Sequence, residues 1–240
     1  MSFIFSIFTK DPKIASWANY SNVSRIGVDL EYINKHLRQP SSFRISCHTV
    51  DDLYLIKKYI EPSRLFCRIN PFHEFSKAEI ESVISCGVKY IMLPMFHSIE
   101  EIINCLQIIN SRAQLIPLIE TSKSCKIVSQ IKDLDAIKDV HIGLNDLHLD
   151  LNLKNFFNIF GHPVFEKLID DLRHHNMKFG LGGIAQYHDK TLEFPSKSNY
   201  EQYLKTGASG AILSRSFLNN IQSKSSFEKQ IKISKSFLSK

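Results

Sequence analysis

The stretch AQLIPLIETS, Ala113 to Ser122, carries five apolar residues and a proline straight into a carboxylate, Glu120. A short apolar run of this kind reads as a buried strand. A bare charge at the edge of a core costs several kcal/mol, so Glu120 calls for a cation, a hydrogen-bond network or a raised pKa.

Similar β-rich runs recur on both sides of it: FIFSIF (Phe3–Phe8), RIGVDL (Arg25–Leu30), LFCRI (Leu65–Ile69), YIMLP (Tyr90–Pro94), QLIPLI (Gln114–Ile119), VHIGL (Val140–Leu144), KFGLG (Lys178–Gly182) and GAILS (Gly210–Ser214). Between them lie segments with helical period and helix-start signals, such as DPKIASWANY after Thr9, SKAEIESVI after Phe75 and SIEEIINCLQII after His97. No Gly-, Pro- or Ser-rich linker divides the chain, which reads as one domain over residues 1–240. Eight β/α units in about 250 residues fit a TIM barrel, and a doubly wound open sheet is the alternative. Polar residues decide between them. An open sheet gathers its functional groups at one switch point, whereas here they cap almost every strand: Asp29 and Glu31, Arg68 and Asn70, Glu120, Asn145 and Asp146, Gly182 and Gly183, Ser214 and Arg215. A closed ring of strand ends is the expectation, an α/β (β/α)8 barrel.

Composition narrows the class. With 240 residues, 43% of them hydrophobic, the chain has ample material for a core. Five cysteines without a CxxC pair read as free thiols in a reducing compartment. The apolar start MSFIFSIFTK lacks a basic n-region and a cleavage site, and no run approaches the roughly 20 residues of a membrane span, so a cytoplasmic protein is expected. Of the net charge of +6, four charges come from residues after Ile221, where five lysines face Glu228 alone. That excess reads as the solvated face of a terminal helix, with an RNA-contacting tail as the lesser reading.

Glu120 ends one strand and Asp146, in IGLNDL, ends the next. Neighbouring barrel strands lie about 4.8 Å apart, so both carboxylates can converge on one point above the barrel. Two carboxylates without a local His or Cys suit a hard divalent cation, Mg2+ or Mn2+. Alternatively Glu120 caps a helix start and Asp146 makes an Asx-turn. Arg68 faces the same space, where a permanent cation suits an oxyanion or enolate, or else it pairs with Asp29 or Glu31.

VDLEY (Val28–Tyr32), CRIN (Cys67–Asn70), GVKYIMLPM (Gly87–Met95), PLIET (Pro117–Thr121) and IGLNDL (Ile142–Leu147) come in the order and approximate spacing of the HpcH/HpaI aldolase and citrate lyase family, which the chain resembles over nearly its whole length. The resemblance implies a phosphoenolpyruvate/pyruvate-type barrel that binds Mg2+ or a similar ion and makes or breaks a C–C bond next to a 2-oxo acid or acyl thioester. It casts Glu120 and Asp146 as metal ligands, Arg68 as the enolate-stabilising arginine, and Asp29 and Glu31 as residues that hold metal-bound water. Asn70, Gly143, Asn145 and Gly183 are the candidate substrate contacts, although the glycines Gly182 and Gly183 either let backbone approach a ligand or merely permit strand-to-helix packing; the resemblance also implies a homo-oligomer.

One departure matters. Tyr32 stands where the hydroxy-acid aldolases of the family carry a proton-transferring histidine, and the Glu-Asp pair of the citrate-lyase branch is missing. His48 and His73 are the candidate bases, while His141 and His148 are expected to support the site from behind its lining residues or to serve the structure alone. Lys35 and Arg38, in EYINKHLRQPS, either bind an acidic substrate tail or belong to a solvated loop. The expected function is a metal-dependent carbon–carbon lyase acting on a small 2-oxo acid or acyl substrate, with sugar-acid metabolism as the expected setting. The alternative is a catalytically reduced barrel that binds a metal, ligand, protein partner or RNA.

Overall fold

The computed structural model describes residues 3–35, 47–191 and 195–238; Arg38 lies outside them. Eight parallel strands close into a barrel in sequence order: β1 (Ile4–Phe8), β2 (Arg25–Asp29), β3 (Leu65–Arg68), β4 (Tyr90–Leu93), β5 (Gln114–Ile119), β6 (Asp139–Ile142), β7 (Lys178–Ile184) and β8 (Gly210–Leu213). The last strand pairs with the first, Ile4 opposite Gly210 and Ile7 opposite Leu213, so no sheet edge remains. Every apolar run singled out in the sequence forms a strand, because each is covered on both faces: β2 is buried at all five positions.

The helices that follow the strands include α1 (Pro12–Tyr20), α2 (Val50–Ile56), α3 (Ser76–Ser85), α4 (Ile99–Ile109), α5 (Ser122–Ile131), α6 (Leu144–Asp150), α7 (Pro163–His174), α8 (Ser196–Thr206) and α9 (Lys224–Leu238). Local chemistry sets their starts. Asp11 caps α1 by accepting from the Lys13 N–H, with Pro12 in the first turn, and Thr121 caps α5 by accepting from the Ser124 N–H. The apolar faces of the helices close the main core against the outer faces of the strands, while Phe66, Met92, Ile116 and Leu118 pack inside the barrel. Below them a buried ion pair plugs the N-terminal end. Arg25 Nη2 meets Asp139 Oδ2 at 2.6 Å, Gln114 donates to Asp139 at 2.9 Å, and the guanidinium stacks on Tyr90.

Two elements depart from the sequence reading. β6 stops at Ile142, and Leu144 already belongs to α6, so Asp146 sits in the first turn of a helix and not at a strand end. There a carboxylate also meets the positive end of the helix dipole. β7 runs on to Ile184 through an irregularity between Leu181 and Gly183, which turns the glycine pair toward the barrel mouth.

The basic C-terminal segment forms α9, which buries Phe227, Ile231 and Leu238. Its lysines serve the fold locally: Lys224 lies over the Tyr20 ring, Lys232 pairs with Glu228, and Lys235 donates to the carbonyls of Ser21 and Asn22. All five cysteines are free, and all but Cys47 are buried. Among the described residues, no helix is long and apolar enough to cross a membrane.

Candidate active site

A cavity of about 280 Å3 opens at the C-terminal ends of the strands, the face that carries the chemistry in barrels of this type. Glu120, Asp146, Arg68, Asp29, Lys35 and His48 line its charged side, and Phe8, Leu118, Leu144, Ile212 and Leu218 its apolar side. Of the substrate contacts expected from sequence, Gly143, Asn145 and Gly183 reach it.

Glu120 follows β5 directly and is 2% exposed. It does not cap α5, since Thr121 does that. Its Oε1 instead accepts the Met95 N–H at 2.9 Å, with Met95 held at φ +48°, a left-handed conformation that costs a non-glycine residue of order 1–3 kcal/mol. Gly143 completes the seat. A Cβ at that position would lie 2.7 Å from Glu120 Oε2 and 2.8 Å from Glu120 Cβ, so only glycine lets the α6 entry pass the carboxylate. Burial pushes the Glu120 carboxyl well above the usual range, and the charges of Glu31 and Asp146 add to this; Arg68 and the Met95 N–H oppose it.

The second carboxylate pair behaves differently. Arg68 grips Asp29 with both prongs, Nε to Oδ1 at 2.8 Å and Nη2 to Oδ2 at 2.7 Å, and Nη2 also reaches Glu31 Oε2 at 3.3 Å. Lys35 Nζ stands 3.1 Å from Asp29 Oδ2 and 3.1 Å from Glu31 Oε2. Burial works against a charge on Asp29, yet Arg68 and Lys35 outweigh it and hold the carboxyl well below the ordinary range. Both readings of Arg68 from sequence therefore meet in one side chain: it pairs with Asp29 and Glu31, and it lines the cavity with Nη1 left for a ligand among the described residues.

The histidines divide. His48 lines the cavity, but its Nδ1 accepts the Asp29 N–H at 3.0 Å, which puts the ring proton on Nε2. Burial lowers its pKa further, so the ring is a neutral donor with its lone pair in use. His73 is placed outside the cavity, between Glu79 Oε2 at 3.4 Å and the Phe75 N–H. His141, given a supporting or structural role from sequence, lines the cavity and approaches the Gly182 carbonyl at 3.2 Å, and burial lowers its pKa to about 3. His148 packs against Phe156.

Asn70 and Tyr32 also lie outside the cavity. The Asn70 amide is spent on the loop after β2, accepting from the Tyr32 and Ile33 N–H groups and donating to Glu79 Oε1. The Tyr32 side chain points to solvent, 65% exposed. Lys35 is the residue that the sequence undersold. The i,i+4 spacing from Glu31 was its one local signal.

No group of three or more His, Cys, Asp or Glu side chains forms a ready metal cage among the described residues. Glu120 and Asp146 offer hard oxygen donors, and Mg2+ is commonly held by one or two carboxylates with water and substrate completing its shell. Two carboxylates whose charges oppose each other beside an open cavity fit such an ion, which would relieve the repulsion that raises Glu120.

No family model and no curated protein matches the sequence. Solved structures do. An HpcH/HpaI aldolase from Desulfitobacterium hafniense DCB-2 superposes with a TM-score of 0.62 at 14% identity, covering 89% of this chain and 86% of that one. An HpcH/HpaI aldolase/citrate lyase family protein from Burkholderia cenocepacia J2315 gives 0.68 at 11% identity, with 90% of each chain covered. The protein CitE from Mycobacterium tuberculosis, in complex with magnesium and pyruvate, gives 0.68 at 13% identity over 99% of this chain and 90% of that one. In fold, the chain is thus similar to the barrels of HpcH/HpaI aldolases and citrate lyase family proteins.

Proposed function

We propose that the protein is a divalent-metal-dependent carbon–carbon lyase of the aldolase type, working through an enolate of pyruvate or a related 2-oxo acid. The observation that carries this reading is that Glu120, Asp146 and Arg68 line one cavity at the barrel mouth. Glu120 and Asp146 would hold Mg2+ or Mn2+, which when bound supplies positive charge to the oxygens of the 2-oxo acid. Arg68, immobilised by Asp29, offers Nη1 as a fixed donor to the enolate oxygen, and needs no reorganisation as charge develops there. His48 offers a neutral Nε2–H from the same wall. Leu144, Ile212 and Leu218 supply apolar surface to the lining of the same cavity. A cavity of about 280 Å3 suits a small acid with a short co-substrate. The single barrel over residues 1–240, a homo-oligomeric state and a cytoplasmic setting belong to the same proposal.

A barrel that binds ligand without turnover is the second reading. One observation favours it: neither His48 nor His73 presents a free ring lone pair to the cavity. Mn2+-dependent melting separates the metal claim from the fold. Mn2+ should raise the melting temperature of the wild type and leave Glu120→Gln and Asp146→Asn unmoved, since binding to the native state alone adds stability by mass action. Equal shifts in all three proteins would refute the metal assignment.

A further inference from the structure

A lysine that the proposed reaction has not used, Lys35, pairs with Asp29 and Glu31 and lines the same cavity. The loop after β2 is built to deliver it. Glu79 fixes Asn70, Asn70 accepts the Tyr32 and Ile33 N–H groups, and Asn34 at φ +57° turns the chain back so that the Lys35 N–H reaches the Tyr32 carbonyl at 3.2 Å. The Lys35 side chain is 5% exposed and borders the cavity beside Arg68, Glu120 and Asp146. Taking an ammonium out of water costs several kcal/mol, and a lysine that only neutralised Asp29 and Glu31 would not need to face a cavity. An ammonium carries three N–H donors, and the partners described here, Asp29 and Glu31, engage two.

We propose that Lys35 is a catalytic residue that presents its third N–H to the carbonyl oxygen of an aldehyde or ketone co-substrate. This rests on the enolate reading above. In the direction of addition, the enolate electron pair forms the C–C bond to the carbonyl carbon. The C=O π pair moves onto oxygen, and that oxygen takes a proton from Lys35 Nζ. The neutral amine regains a proton from water, and cleavage runs the same transfer backward. Arg68 and Lys35 thus serve different oxygens, the first on the enolate and the second on its partner, while Asp29 and Glu31 orient both cations.

Two Mn2+-dependent reactions separate these roles. Decarboxylation of oxaloacetate generates the enolate without a second carbonyl; addition of pyruvate to a panel of glycolaldehyde, glyceraldehyde and propanal requires one. The wild type should perform both above the metal-only blank. Lys35→Met should lower addition about 100-fold or more, the loss typical of one fixed donor, and decarboxylation less than about ten-fold. Added ethylamine should restore part of the addition and leave decarboxylation as it was. Should Lys35→Met misfold, Lys35→Gln, which keeps a neutral donor toward Asp29 and Glu31 but has no ammonium proton to give, is read in the same way. Parallel loss of both reactions in a folded variant would overturn the proposal, leaving Lys35 as a brace for Asp29 and Glu31. A wild type that decarboxylates oxaloacetate but adds pyruvate to no aldehyde would also overturn it while the enolate reading stands. A wild type that does neither removes the enolate reading, and the role of Lys35 with it.

Discussion

Gly143→Ala is the substitution that most sharply probes how Glu120 is held. The new Cβ would start 2.8 Å from Glu120 Cβ and 2.7 Å from Oε2, with Leu118 Cδ1 at 3.4 Å behind. Carbon atoms rest at about 3.5–4.0 Å, so the strand end and the helix entry must part by roughly 0.7 Å. Overpacking of this kind costs about 1–3 kcal/mol. The backbone itself sits at φ −84°, ψ 88°, which alanine tolerates, so the whole cost falls on the contact with Glu120. Because the clash reaches Glu120 Cβ, parting the strand end from the helix entry carries the carboxylate with it, away from the Met95 N–H that seats it at 2.9 Å. A displacement approaching 1 Å at a site of this kind costs about 100-fold in turnover. We therefore expect Gly143→Ala to fold with a melting temperature a few degrees lower. Mn2+ affinity by calorimetry should weaken at least ten-fold and Mn2+-dependent exchange of the pyruvate methyl protons should fall about 100-fold. Unchanged Mn2+ affinity and exchange in the alanine variant would refute the claim that this close approach seats the metal ligand.

Arg68→Lys keeps the charge but loses the fork that grips Asp29, so methyl exchange should fall about 100- to 1000-fold while calorimetric Mn2+ affinity holds within a few-fold; lost Mn2+ affinity with retained exchange would mean that Arg68 only binds the acidic cluster together. Tyr32→Phe, altering an exposed ring outside the cavity, should leave exchange within two-fold, and loss comparable to Arg68→Lys would bring the tyrosine back as a proton carrier. Met95→Val places a β-branched residue at φ +48°, and should cost about 1–3 kcal/mol in chemical denaturation together with weaker Mn2+ binding, whereas equal stability would remove the strain argument. His141 titrates near pH 3 when folded and near 6.5 when unfolded, so the unfolded chain takes up the proton first and stability falls as pH drops from 6.5 toward 3, by at most about 1.4 kcal/mol per pH unit from this group. His141→Gln should flatten that part of the denaturation profile, and an unchanged slope would show that the ring does not stay neutral.

The barrel was legible because parallel strands covered on both faces must be written as short apolar runs. QLIPLI, RIGVD and GAIL could hardly be anything else once helical segments alternate with them. The position of Asp146 was misjudged by one element. In VHIGL the apolar run continues through Gly143 into Leu144, and a run that short does not distinguish the end of a strand from the first turn of a helix. The carboxylates and Arg68 were visible as charges closing apolar runs, and a pairing of Arg68 with Asp29 or Glu31 was one of two readings; what stayed hidden was that one side chain does both, since Asp29 and Arg68 are 39 residues apart and meet through the β2–β3 register. Lys35 was hidden for the same reason: its burial depends on Asp29, Glu31 and a turn fixed by Asn70 from another strand. Nor does a sequence say which ring nitrogen of His48 is already taken.

The central claim is that Glu120 and Asp146 hold a divalent ion at which Arg68 stabilises an enolate. Its most direct test is the exchange of pyruvate methyl protons for deuterium, followed by NMR with Mn2+ removed before acquisition. Exchange should be catalysed by the wild type only when Mn2+ or Mg2+ is present, vanish in Glu120→Gln and Asp146→Asn, and fall at least 100-fold in Arg68→Lys. Exchange that persists in Glu120→Gln at the wild-type rate, or that needs no divalent ion, would contradict the account.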